Sequence, residues 1–135
     1  MLGYTFDYGP LVAALCAAKS SEPKRRVDVV LDRGNTLTGP TRAQHPMVRQ
    51  LLAAGVSVRL AKGNKLSAVY QDACRPNNLG SWSGAFHAKS VIIGRRVFVG
   101  SLNWTVASRA NQECSVHLTL NESTAKEVSV CFDAV

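Results

Sequence analysis

The chain has 135 residues, 46% apolar and 19% charged, a balance that excludes a disordered protein and suits one globular domain burying roughly two thirds of its unfolded surface. Sixteen basic residues against nine acidic ones give a formal net charge of +7, so the expected partners are polyanions, nucleic acid first and anionic phospholipid second. The longest mostly apolar run, Pro10 to Ala18, falls well short of the roughly 20 residues of a membrane span.

In chain order, Leu2 to Asp7 is aromatic-rich and predicts a strand, and Gly9-Pro10 predicts a helix start with proline in its first turn. Apolar residues recur at helical spacing from Leu11 to Lys19, and Ser20 to Pro23 ends that element. Val27 to Leu31 is a continuous branched apolar run closed by Asp32, the pattern of a buried parallel strand. Thr36 to Pro40 predicts a loop. Thr41 is a candidate cap for a helix carrying Met47, Val48, Leu51 and Leu52, with Gly55 as its stop. Val56 to Leu60 predicts the third strand. Strand, helix, strand, helix, strand means an α/β fold, with a mixed, mostly parallel sheet flanked by helices.

Ala61 to Ala85 is long and polar, with Lys62, Lys65, Tyr70, Arg75 and Trp82 interspersed. Cations mixed with aromatics suit phosphate contacts and base stacking, so Lys62, Lys65, Arg75 and Trp82, together with Arg109 further on, are candidate substrate-binding residues. A plain surface excursion fits the same composition. Glu113 to Leu120 alternates as a strand does, and Asn121 or Ser123 is expected to cap a last helix that packs through Val128, Cys131 and Phe132.

The four cysteines, Cys16, Cys74, Cys114 and Cys131, form no C-x-x-C pair, which predicts buried free thiols and an intracellular, reducing compartment, cytoplasmic or mitochondrial. The chain opens almost directly on a strand and ends inside a helix, as expected of a single domain that is a piece of something longer. Of the three histidines, His45 precedes a proline and His117 lies mid-strand. Neither has metal-ligand spacing.

The third, His87, stands in the most informative stretch, Phe86 to Thr105. Two short apolar runs flank Ile93-Gly94-Arg95-Arg96, which has the chemistry of a two-residue hairpin turn. His87 and Lys89, two apart, share a face in an extended chain. The return strand runs into Gly100-Ser101-Leu102-Asn103, so an imidazole, an ammonium, a hydroxyl and an amide are expected to converge. That set suits phosphodiester chemistry: an imidazole attacks phosphorus while Lys89 and Asn103 hold charge on the non-bridging oxygens.

His87-Ala88-Lys89 followed by Gly100-Ser101-Leu102-Asn103 resembles the His-x-Lys and Gly-Ser-x-Asn signature of the phospholipase D superfamily. The continuation Asn103-Trp104-Thr105 looks most like its single-motif nuclease branch and mitochondrial relatives. The pattern departs in one respect. The superfamily's aspartate falls at Gly94, and the spacing to the Gly-Ser is one residue shorter. Some superfamily members work with His, Lys and Asn alone.

The resemblance implies a phospholipase D-like fold and metal-independent, cofactor-free hydrolysis through a phosphohistidine. Because one imidazole cannot be nucleophile and acid at once, it also implies a homodimer whose cleft takes His87, Lys89 and Asn103 from each copy. Ser101 would shape the turn. Asn111-Gln112-Glu113 resembles a family segment whose carboxylate orients the imidazole, which assigns that role to Glu113. Two other readings stay open: a phospholipid headgroup hydrolase, and a non-catalytic structural or interaction subunit of a larger assembly.

Overall fold

The computed structural model describes residues 1–37, 44–63 and 85–134. Among them a six-stranded sheet, in the order β3-β2-β1-β4-β5-β6, carries helices on its faces. The parallel half holds β1 (Leu2–Gly3), β2 (Asp28–Asp32) and β3 (Ser57–Ala61). The antiparallel half holds β4 (Lys89–Ile93), β5 (Arg96–Gly100) and β6 (Ser115–Thr119). β1 joins the halves, pairing parallel with β2 and antiparallel with β4. β5 runs in the direction of β1, so four of these six strands are co-directional.

Helix α1 (Gly9–Ser21) starts with Pro10 in its first turn and crosses from β1 to β2. Helix α3 (Gln44–Ala53) crosses toward β3 and stops at Gly55, whose φ of +77° suits only glycine at low cost. The two helices cover the parallel half: Phe6, Val12, Val29, Leu31, Leu51 and Val56 form the buried core, with Leu15, Met47, Val48 and Trp104 packed against it. Val29, Val30 and Leu31 are fully buried, as the unbroken apolar run of β2 requires. The last helix, α4 (Glu122–Asp133), is capped by the Asn121 side chain accepting from Thr124 N at 2.9 Å. Its C-terminal end is held from the parallel half. Arg59 donates to the Phe132 and Asp133 carbonyls at 3.0 and 3.1 Å, and Arg26 pairs with Asp133.

The first strand is shorter than the predicted Leu2 to Asp7, because other partners take its remaining backbone groups. Phe6 N donates to the Gln44 amide at 3.1 Å, and Asp7 and Tyr8 donate to the Trp104 carbonyl at 2.9 and 3.0 Å. Thr36 lies not in a loop but in a short helix, α2 (Arg33–Leu37). The predicted cap Thr41 lies outside the described residues. Burial of the thiols is also corrected: Cys16 is half-buried and Cys114 and Cys131 are exposed, all three free, since β6 is an edge strand and no residue of α4 is fully buried. Cys74 lies outside the described residues.

Candidate active site

The strand directions bring the chemistry-bearing residues to one edge of the sheet. The carboxyl ends of β1, β2, β3 and β5 and the amino ends of β4 and β6 meet there, and β1 is the point where successive strands change sides, the place where open α/β sheets bind ligands. Gly3 pairs with Lys89, so Tyr4, one residue beyond β1, adjoins His87 just before β4. The His87 and Tyr4 rings meet nearly edge to face, centroids 4.3 Å apart at 60°.

Lys89 is 7% exposed, and its ammonium lies 3.0 and 3.1 Å from the two ring nitrogens of His87 and 3.1 Å from the His87 carbonyl. Burial pushes the Lys89 pKa down, and the charge of Glu113 opposes that shift. Thus the predicted His-Lys juxtaposition is present. An ammonium can only donate; standing almost equally far from both ring nitrogens, whose in-plane lone pairs diverge, it rests against the imidazole face rather than on one lone pair.

Ser101 and Glu113 form a second group beside it. Ser101 Oγ donates to the Glu113 carboxylate and accepts from Cys114 N at 3.0 Å. Asn111 donates to the same carboxylate at 3.1 Å. These hydrogen bonds, Ser101 first, hold the Glu113 pKa below the ordinary glutamate value. Among the described residues the carboxylate's hydrogen bonds run to Ser101 and Asn111, and it acts on Lys89 through its charge. Ser101→Ala is expected to raise the Glu113 pKa toward 4.5, its ordinary value. A depressed carboxylate pKa stabilises the fold above the unfolded value and loses that contribution as pH falls through the folded value. The stability gap between the two proteins should therefore narrow on acidification. A carboxylate carbon NMR titration checks the shift itself; an unchanged midpoint contradicts it.

Asn103, on the turn that leaves β5, has a side-chain Oδ1 that is buried and without a hydrogen-bond partner among the described residues. Gly94, where the superfamily's aspartate falls, occupies the β4–β5 turn with φ +56°. Four residues of strand lie between it and Lys89, a separation of roughly 16 Å. A carboxylate at 94 would stand at the far end of the hairpin from the imidazole.

Of the predicted substrate-binding residues, Lys62 follows β3 at the same edge, and Arg109 lies over the Tyr8 ring, 5.8 Å from its centroid. Lys65, Arg75 and Trp82 lie outside the described residues. His117 stacks on Phe98 at 4.3 Å, and His45 bonds the Thr36 carbonyl. No group of three or more His, Cys, Asp or Glu side chains that could hold a metal occurs among the described residues, and none of their helices is long and apolar enough to cross a membrane.

Two residues at this edge escaped the sequence reading. Tyr4 is one. The other is Asp32, 4% exposed, whose Oδ2 accepts from Phe86 N and whose Oδ1 accepts from Asn35 N, both at 2.7 Å. Asp32 thereby ties the end of β2 to the residue preceding His87. An acidic residue ending an apolar strand was the available signal. Asp32→Ala would remove the carboxylate acceptor of two part-buried N–H groups, at about 1–3 kcal/mol each. The expected loss is about 2–5 kcal/mol in urea unfolding; a loss below about 1 kcal/mol would show that water replaces the carboxylate.

The family model described as "Cardiolipin synthase, PLD-like domain" matches residues 1–135. No curated protein matches the chain. Among solved structures, the chain is similar to Nuc from Salmonella typhimurium, described as a phospholipase D family member, with 23% identity and a TM-score of 0.69 over 99% of this chain and 74% of that one. It is also similar to NucT from Helicobacter pylori, with 17% identity and a TM-score of 0.68 over 98% of this chain and 74% of that one. The architecture expected from the sequence, a mixed α/β sheet with flanking helices, is the one observed, and the chain belongs to the family of phospholipase D-like domains.

Proposed function

We propose that the chain is a metal-independent phosphodiesterase that cleaves nucleic acid as a homodimer. The observation that carries this reading is the buried Lys89 ammonium within 3.0–3.1 Å of the His87 imidazole. An ammonium against the imidazole face leaves the in-plane lone pair of a neutral ring nitrogen available for a nucleophile's role, and the ammonium is the group that a phosphoryl oxygen would attract. When substrate binds, Lys89 turns to a non-bridging oxygen of the phosphoryl group that the imidazole attacks. The His87 nitrogen then bonds to phosphorus as the P–O bond to the leaving group breaks. The protonated His87 of the second copy supplies the leaving oxygen's proton. Water next attacks the phosphohistidine and gives its proton to that second imidazole, which restores both rings. Asn103 donates to the phosphoryl oxygens, and Glu113 holds Ser101 and favours the charged form of Lys89. The net charge of +7 supports a polyanionic substrate.

Two observations favour a phospholipid instead. An apolar cavity of about 260 Å³ adjoins Lys89, lined by Val91, Ile93, Phe98, Leu102 and Trp104, and the matching family model is described by a lipid enzyme.

The deciding experiment is incubation of the native chain with labelled single-stranded DNA and RNA in EDTA, and separately with anionic phospholipid vesicles, with mass in solution recorded alongside. Strand cleavage by a dimer supports the nuclease reading. Headgroup release without strand cleavage moves the assignment to lipid. Activity on neither substrate favours the non-catalytic interaction subunit.

A further inference from the structure

Burying an ammonium is costly unless each of its three N–H groups finds an acceptor. For Lys89 the imidazole nitrogens and the carbonyl of His87 account for two directions. A further neighbour is the Tyr4 ring, whose centroid lies 5.2 Å from Nζ, within the range of a cation–π contact. The same ring presses nearly edge to face on the imidazole at 4.3 Å. Tyr4 is itself fixed: Gly3 pairs with Leu31 and Lys89 in the sheet, and the Tyr4 carbonyl accepts from the Asn35 side chain at 3.4 Å. The charged group opposing this arrangement is Glu113, which attracts Lys89 without a hydrogen bond to it among the described residues.

We propose that Tyr4 is a positioning residue that holds the Lys89 ammonium and the His87 imidazole as one unit and keeps Lys89 from swinging onto Glu113. Tyr4 touches no phosphate in this role; it acts through Lys89 and His87. Burial lowers the Lys89 pKa against the pull of the Glu113 charge, which agrees with an ammonium packed beside the two rings. With the ring gone, Lys89 keeps its contacts to His87 but loses the aromatic face, and the charge of Glu113 attracts it with less opposing it. The catalytic consequence rests on the phosphodiesterase reading above, whereas the placement of Lys89 does not.

The test therefore has an arm that needs no activity. In the native chain, proton NMR is expected to give nuclear Overhauser contacts between the Lys89 Hε protons and the Tyr4 ring, with those protons shifted upfield by the ring current. Tyr4→Phe, which keeps the face, should retain the shift; Tyr4→Leu should lose it. On substrate, Tyr4→Phe should keep kcat within about twofold and Tyr4→Leu should lower kcat by at least about tenfold with a smaller change in KM, since the lost interaction serves the transition state. Absence of the Overhauser contacts in the native chain, which needs no variant to fold, overturns the proposal. So does a Tyr4→Leu protein that matches Tyr4→Phe in Lys89 shift and kcat. If the contacts and shifts behave as expected and no substrate is cleaved, the placement stands and the phosphodiesterase reading falls.

Discussion

His87→Ala is expected to lower strand cleavage in EDTA by at least about 10³-fold, the scale seen when a covalent nucleophile is removed, with a stability loss confined to what Lys89 loses when its imidazole neighbour goes. The ring is exposed, and its contacts are the Tyr4 edge and the Lys89 ammonium rather than the core. A mixture makes the prediction sharper. If each cleft needs one His87 as nucleophile and the other as acid, a mixed dimer is inactive. After subunit exchange at equal amounts, about a quarter of the native activity should then remain rather than about half. Native activity in the His87→Ala chain would remove this residue from the chemistry. Retention of half in the mixture would mean that each copy works alone.

Gly100→Ala is expected to break the site by a steric route. A Cβ built there would lie 2.3 Å from Ser115 Oγ, 3.0 Å from Ser115 Cβ and 2.7 Å from the Cys114 carbonyl oxygen. The hydroxyl can rotate away, but the carbonyl is backbone and accepts Ser101 N at 3.0 Å. Relief therefore requires β5 and β6 to separate where Gly100 pairs with Ser115. Such overpacking costs about 1–3 kcal/mol, a fall of roughly 3–12 °C in Tm for a domain of this size. It also moves Ser101 off Glu113 and displaces the turn to Asn103, so activity should fall further than stability. Gly9→Ala is the control, because an added Cβ there meets nothing within 4 Å. Equal Tm values for the two variants would show that the β5–β6 junction gives way without strain.

Local pattern carried much of this structure. The Val29, Val30 and Leu31 run could only be a strand covered on both faces, since no solvent-facing residue interrupts it. Gly94 announced its turn, and Asn121 its helix start, because each supplies a conformation or an acceptor that few residues can. Local pattern failed where partners lie far along the chain. Nothing near Thr5 says that Phe6, Asp7 and Tyr8 will bond to Gln44 and Trp104 instead of extending β1. Nothing near Cys114 or Cys131 says that their elements lie at the rim, with few neighbours to bury them.

The candidate site divides along the same line. His87, Lys89, Ser101 and Asn103 were legible because a hairpin brings together residues within twenty positions of one another, and its register follows from the turn. Asp32 and Tyr4 were not, because their reach to Phe86, His87 and Lys89 exists only once β1 lies between β2 and β4. Sequence alone thus determined the class of fold and the basic character, and it singled out His87, Lys89, Ser101 and Asn103 as candidates. The tertiary structure decided how those residues are held, because burying an ammonium beside an imidazole takes neighbours that only the assembled sheet edge supplies.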